Sequence, residues 1–259
     1  MSGKTGFISL VIVLFVLITM FSSRASAEGN RDHDIYDTML KKYVFDGTVD
    51  YLKWKKNDLA TFEQYINSLA KVSLANLKEN EQKAFWINAY NALTIYAVLK
   101  HIPSNGLLSR VFSVQIVLGF FNKITYTAAS EALTLNDIEK EKLRGAFHDP
   151  RVHFILVCAS RSCPKIQDAS FKAEGLEERL DSAARNFIQD TTRNRLDGKN
   201  NVLYLSEIFK WYDPDFIASA GTVIDFVKKY MGKEGSGFLS THAVKIKYLF
   251  YDWLVNIKR

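Results

Sequence analysis

Glu81-Gln-Lys-Ala-Phe-Trp-Ile-Asn-Ala-Tyr-Asn-Ala-Leu-Thr-Ile-Tyr-Ala-Val-Leu99 is the stretch that decides the fold. From Ala84 onward it is apolar nearly all round, the pattern of a helix buried on every side. The spacing predicts a central helix near residues 77–100, capped by Asn76 with Glu79 three residues on, and stopping before His101-Ile-Pro103. Asn88 and Asn91 interrupt the apolar surface. They are three residues apart and share a face, and Glu81 lies two turns up that same face. A polar stripe on a buried helix costs free energy unless each amide and carboxylate finds partners. Two readings stay open. The asparagines tie down buried backbone, or the stripe lines a site, orienting an imidazole or holding a substrate oxygen.

Helices and short strands alternate around this segment. Asp34–Tyr43, Leu59–Ala70 and Leu176–Ile188 repeat apolar residues at helical spacing, and Asp46-Gly47 is a turn signal. Lys123-Ile-Thr-Tyr-Thr127 and Ala132-Leu-Thr-Leu135 read as a hairpin, with a short helix capped by Asn136 or Asp137 after it. Asn201–Leu205 is a further strand, Ser206 opens a short helix into Trp211, Thr222–Met231 is helical, and Val244–Leu249 reads as an edge strand. Arg151-Val-His-Phe-Ile-Leu-Val-Cys158 is mostly apolar and rich in β-branched residues, which predicts a central, buried strand. The expected class is α+β: a helix-rich single domain over residues 28–259 around a small mixed or antiparallel sheet.

Residues 1–27 read as a cleavable secretory signal. Lys4 is the positive flank, Phe7–Phe21 the apolar run, and Ala25-Ser-Ala27 a small-residue cleavage site. The alternative is an uncleaved N-terminal anchor. No later run is long and apolar enough to span a bilayer. The chain carries a formal charge of +6, and removing Lys4 and Arg24 leaves +4, spread along the sequence. No basic block or zinc-finger spacing points to nucleic acid. The expected location is the periplasm or the outside of the cell.

Export sharpens the meaning of the only two cysteines, Cys158 and Cys163. They suggest a disulfide. The other reading makes Cys158 a thiol nucleophile with His153 as its base, because an imidazolium stabilises a thiolate. Residues five apart on a regular strand face opposite sides. Pairing therefore needs a bulge, or else His153 pairs with Glu81 or Asn88. Arg31-Asp-His-Asp34 could touch a metal but sits at an N-terminus expected to fray, so neither metal nor cofactor is expected. Trp211-Tyr-Asp-Pro-Asp-Phe216 is an aromatic, acidic turn that anchors a core or lines a groove.

Tyr43–Tyr51, Ala84-Phe-Trp-Ile-Asn-Ala-Tyr-Asn91, Leu135-Asn-Asp-Ile-Glu139, Arg151–Cys158, Ser162-Cys-Pro164 and the Trp211–Phe216 turn together resemble the family named domain of unknown function 547. The resemblance implies no established reaction. It implies a more general role for Cys158 than for Cys163, because plant members of the family carry Ser at the latter position. The Cys/His/Asn inventory is similar to that of papain-like and transglutaminase-like thiol enzymes, an analogy that does not establish function. The first expectation is therefore a thiol-dependent hydrolase or acyl transferase acting on peptide-like amides in the envelope. Cys158 would attack, His153 would act as base, and Asn88, Asn91 and Glu81 would support them. The second is a non-catalytic envelope binding module with a Cys158–Cys163 disulfide.

Overall fold

The computed structural model describes residues 33–258; the expected signal at 1–27 lies outside them. The central helix runs Glu79–His101. Its start is fixed by Glu81, whose carboxylate accepts from the backbone N–H of Lys78 at 2.6 Å. The capping pair is therefore Lys78 and Glu81, two residues later than Asn76 and Glu79. Acids at the first turn and Lys100 and His101 at the last suit the helix dipole. Every residue from Lys83 to Ile95 is buried.

Three helices, Asp34–Tyr43, Tyr51–Asn57 and Leu59–Leu69, cover one side. Their inner faces carry Tyr36, Tyr43, Trp54, Phe62 and Tyr65, whose rings stack or tilt against one another at 4.8–6.0 Å. His33, expected at a fraying end, instead lies 2.9 Å from the Tyr65 hydroxyl and 3.2 Å from the Asn88 amide. A helical stretch at 135–147 packs elsewhere on the central helix. Thr134, rather than Asn136 or Asp137, caps it: its hydroxyl accepts from the Asp137 N–H, and its own N–H donates to the Asp137 carboxylate. Ile138–Arg144 within it is π-helical. Gly145 closes that turn with its N–H on the Lys140 carbonyl, and a Cβ there would meet this oxygen at 2.9 Å. Only a residue without a side chain fits.

The sheets are small. Val44–Phe45 (β1) and Thr48–Val49 (β2) form a hairpin across the Asp46-Gly47 turn. Thr125–Ala128 (β3) and Glu131–Thr134 (β4) form another, turning through Ala129 and Ser130, both at positive φ. Arg195–Asp197 (β5), Val202–Ser206 (β6) and Lys245–Leu249 (β7) make a mixed sheet, with β6 antiparallel to β5 and parallel to the edge strand β7. Leu176–Gln189, Asp213–Ala220 and Val223–Tyr230 complete the helices around the core. The class is α+β, as the sequence pattern predicts.

One prediction fails. Arg151–Cys158 is not a strand. Pro150–Phe154 is a 3-10 helix, and residues 155–158 pair with no strand of a named sheet. Asp149 starts the turn by accepting from the Arg151 N–H at 3.1 Å, and Pro150 supplies the preset φ. The strand's missing partner is a side chain. The Asn91 amide donates to the Ile155 carbonyl at 3.0 Å and accepts from the Val157 N–H at 2.9 Å. A short apolar run records burial on all sides, and burial alone does not distinguish strand from buried turn.

Candidate functional site

A cavity of about 520 Å³ lies between the central helix, the π-helical turn, the 3-10 helix and the C-terminal segment. Seven aromatic residues line it: Tyr90, Phe120, Phe121, Trp211, Tyr212, Tyr251 and Trp253. Trp211, Tyr251 and Trp253 form a continuous wall, with ring centroids 4.7–5.5 Å apart. Among its lining residues Glu139 is the only carboxylate, and no Lys or Arg lines it. Glu139 is buried beside the Tyr212 phenol, and the Tyr90 hydroxyl is 3.4 Å away. That is a long bond for a charged acceptor. Burial first, and then the adjacent Glu139 charge, hold the phenols of Tyr90 and Tyr212 well above their usual range. Both therefore stay protonated donors.

His153 enters the cavity from the 3-10 helix. Its Nε2 lies 2.7 Å from Asp215 Oδ2, so the pairing is neither with Glu81 nor with Asn88. Arg144 grips the same carboxylate from the other side, with Nε at 2.6 Å and Nη2 at 3.0 Å. Tyr212 stacks on the imidazole at 3.9 Å. Burial alone would raise the Asp215 pKa, but the His153 bond and the Arg144 fork override it and hold the carboxyl well below the ordinary range. A carboxylate beside Nε2 fixes the proton there. The imidazole is locked in tautomer, in plane and in position.

Cys158 also lines the cavity, and it is disulfide-bonded to Cys163. Cys163 is buried, whereas Cys158 is partly exposed. Tyr251 Oη and Ser160 Oγ each lie 3.1 Å from the Cys158 sulfur, and the Cys158 N–H donates to the Cys163 sulfur at 2.8 Å. Burial pushes the Tyr251 phenol up to about 12, so it too stays a donor. The resting thiol that a nucleophilic Cys158 needs is absent in this state. The facing objection nevertheless dissolves. Once residues 151–158 are a helical turn and a buried loop, His153 and Cys158 reach the same cavity.

The amide face of the central helix is used differently. Asn88 donates to the Phe171 carbonyl and accepts from the Phe171 N–H, both at 2.8 Å, and the imidazole it meets is that of His33. Asn91 holds Ile155 and Val157. Neither asparagine lines the cavity, and Glu81 is spent on the helix N-terminus. Of the residues expected at a site, the cavity gathers His153 and Cys158.

Sequence reasoning missed Glu139, Asp215 and Tyr251. The signal for two of them was present. Glu139 ends the Leu-Asn-Asp-Ile-Glu segment, and Asp215 sits in the aromatic turn beside Tyr212. Residues 74–188 match the family model described as "Protein of unknown function, DUF547". The match includes Glu139, His153 and both cysteines, while Tyr212, Asp215 and Tyr251 lie beyond it. No curated protein and no solved structure matches the chain.

Proposed function

Over residues 74–188 the chain belongs to the DUF547 family, a membership that assigns no reaction, and from the cavity itself we propose a binding module for a small organic cation. The observation that carries this reading is the charge and shape of the lining: aromatic walls, one buried carboxylate, and no Lys or Arg among the lining residues. Aromatic faces attract cations, and a desolvated carboxylate adds charge complementarity. Tyr90 and Tyr212 hold their protons and leave Glu139 as the acceptor. The reading places the module in the cell envelope, in keeping with the apolar run at 7–21 and the closed disulfide.

Trp211 and Trp253 line the cavity, so their fluorescence is the readout. Titration with choline and with a short alkylamine should give a saturable change, and a neutral alcohol of equal size should not. Glu139→Gln should weaken cation binding by about tenfold or more. Equal response to the neutral alcohol, or an unchanged Glu139→Gln variant, would reject the cationic ligand.

One observation favours a second reading. Cys158 and the Asp215-braced His153 share the cavity. Reduction by a dithiol would free Cys158 as the nucleophile of a thiol-dependent hydrolase or acyl transferase, with His153 as base and Asp215 as its orienting partner. Asn91 would then act through the backbone of Ile155 and Val157. A thiol probe should label Cys158 only after reductant, and amide turnover should appear in the reduced protein alone. Reduced, unlabelled protein that shows no turnover, while a parallel sample labels fully at Cys158, would leave only the binding module.

A further inference from the structure

Leu107, Leu108, Val111, Ile116 and Leu118 account for five of the ten large apolar residues that stand exposed among the described residues. They fall within one 12-residue stretch of the loop after the central helix. Leu118 is 84% and Leu107 75% exposed, more than any of the other exposed apolar residues except Phe250. The loop is not loose. Phe112, Val114 and Phe120 are buried beneath it, the Val255 N–H donates to the Phe112 carbonyl at 2.9 Å, and Arg161 reaches the Arg110 carbonyl at 3.2 Å. The inner side chains are anchored, and the outer ones are held in water at a hydrophobic cost that folding does not recover.

Charge selects what covers them. No Asp or Glu occurs between Glu81 and Glu131, whereas Arg110 and Lys123 stand exposed in and beside the loop. The neighbouring carboxylate of Asp252 is taken by Arg161 at 3.4 Å. The exposed apolar side chains are all aliphatic, without the Trp or Tyr anchors that mark protein interfaces. Branched aliphatic side chains beside cations, with no carboxylate to repel phosphate, are the chemistry of shallow insertion into an anionic lipid surface. Among the described residues no helix is long and apolar enough to cross a membrane. We infer that the 107–118 loop docks the protein on an anionic lipid surface. Val114, Val117, Phe120 and Phe121 also wall the cavity, so docking would set the cavity beside that surface. The inference does not depend on what the cavity binds.

Cosedimentation tests it, using the chain and its variants with identical N-termini and vesicles of phosphatidylcholine alone or mixed equally with phosphatidylglycerol. The parent should sediment with the mixed vesicles and release as salt rises. Leu107→Ser/Ile116→Ser/Leu118→Ser should lower the partition coefficient by about tenfold or more. Arg110→Gln/Lys123→Gln should remove the preference for phosphatidylglycerol. All five positions are exposed, so the variants should keep the parent's Tm, and that is checked alongside. A parent that binds neither vesicle, or an apolar triple variant that binds as well as the parent, overturns the inference. So does a parent dimer that the triple variant makes monomeric without any vesicle binding, because a second copy then covers the loop.

Discussion

Asn88 and Asn91 on the central helix, and Tyr90 between them facing Glu139, are polar groups in the same buried environment with opposite degrees of satisfaction. Each asparagine amide both donates and accepts at 2.8–3.0 Å, closing on the backbone of Phe171 or of Ile155 and Val157. Across the helix, Glu139 has the phenols of Tyr90, at 3.4 Å, and Tyr212 beside it, and an aromatic cavity before it. The first arrangement gives both the nitrogen and the oxygen of each amide a backbone partner, and at Asn91 it takes the place of a missing strand. The second leaves a charged acceptor with capacity to spare. Buried polar groups are kept for structure when fully partnered, and an under-partnered one calls for a functional account.

The largest effect should come from the satisfied side. Asn91→Leu removes two hydrogen bonds and leaves the Ile155 carbonyl and the Val157 N–H buried without that partner. The expected loss is about 3 kcal/mol or more, read from urea unfolding with the slope unchanged. Asn91→Asp should fare no better, since a second acceptor would face the Ile155 carbonyl. A loss below about 1 kcal/mol would mean water replaces the amide, and the contrast between the two faces would collapse.

The disulfide comes next. Cys158→Ser/Cys163→Ser opens a loop of six residues, worth about 2 kcal/mol in chain entropy. The doubly substituted protein should still fold and, on the binding reading, still take the cationic ligand. Loss of ligand binding with little loss of stability would move Cys158 from the frame of the site to its chemistry.

Acid should separate the His153 side from both. The Asp215 carboxyl lies below its ordinary range, so its contribution is present above the unfolded value near pH 4 and fades as pH falls through the lower folded value. Asp149 adds a parallel loss: burial would raise its pKa, but the Arg151 fork and Lys83 override that and lower it. Asp215→Asn should therefore cost about 1 kcal/mol at neutral pH and converge with the parent at strongly acidic pH in denaturant titrations. A difference independent of pH would show that the pairing with His153 and Arg144 carries no net charge linkage.

Periodicity showed the sequence's local features well and its long-range ones poorly. The bounds of Asp34–Tyr43, the hairpin at 125–134 and the all-round burial of the central helix follow from residue spacing, because each reports one element's own environment. Residues 151–158 misled because the same burial signal comes from a strand in a sheet and from a turn clamped by an amide 64 positions away. The His153–Asp215 pair, 62 positions apart, was hidden for the same reason. The asparagine stripe was legible as an anomaly, but its partners were not. Glu139 was passed over because its register is set by the π-helical turn, which breaks the 3.6-residue spacing that would have placed it.

The smallest stability effect should belong to Glu139, and it is the one that bears most directly on the comparison. Glu139→Gln keeps the side-chain shape, still reaches Tyr90, and removes a charge from an aromatic enclosure. Stability should stay within about 0.5 kcal/mol of the parent or rise, because a desolvated charge held by neutral phenols is relieved. Over the same substitution, cation affinity should fall. A residue whose replacement leaves folding untouched and empties the cavity of its ligand is held for binding. If Glu139→Gln instead unfolds the protein as Asn91→Leu does, both faces of the helix are structural, and the aromatic cavity must be explained without a charged ligand.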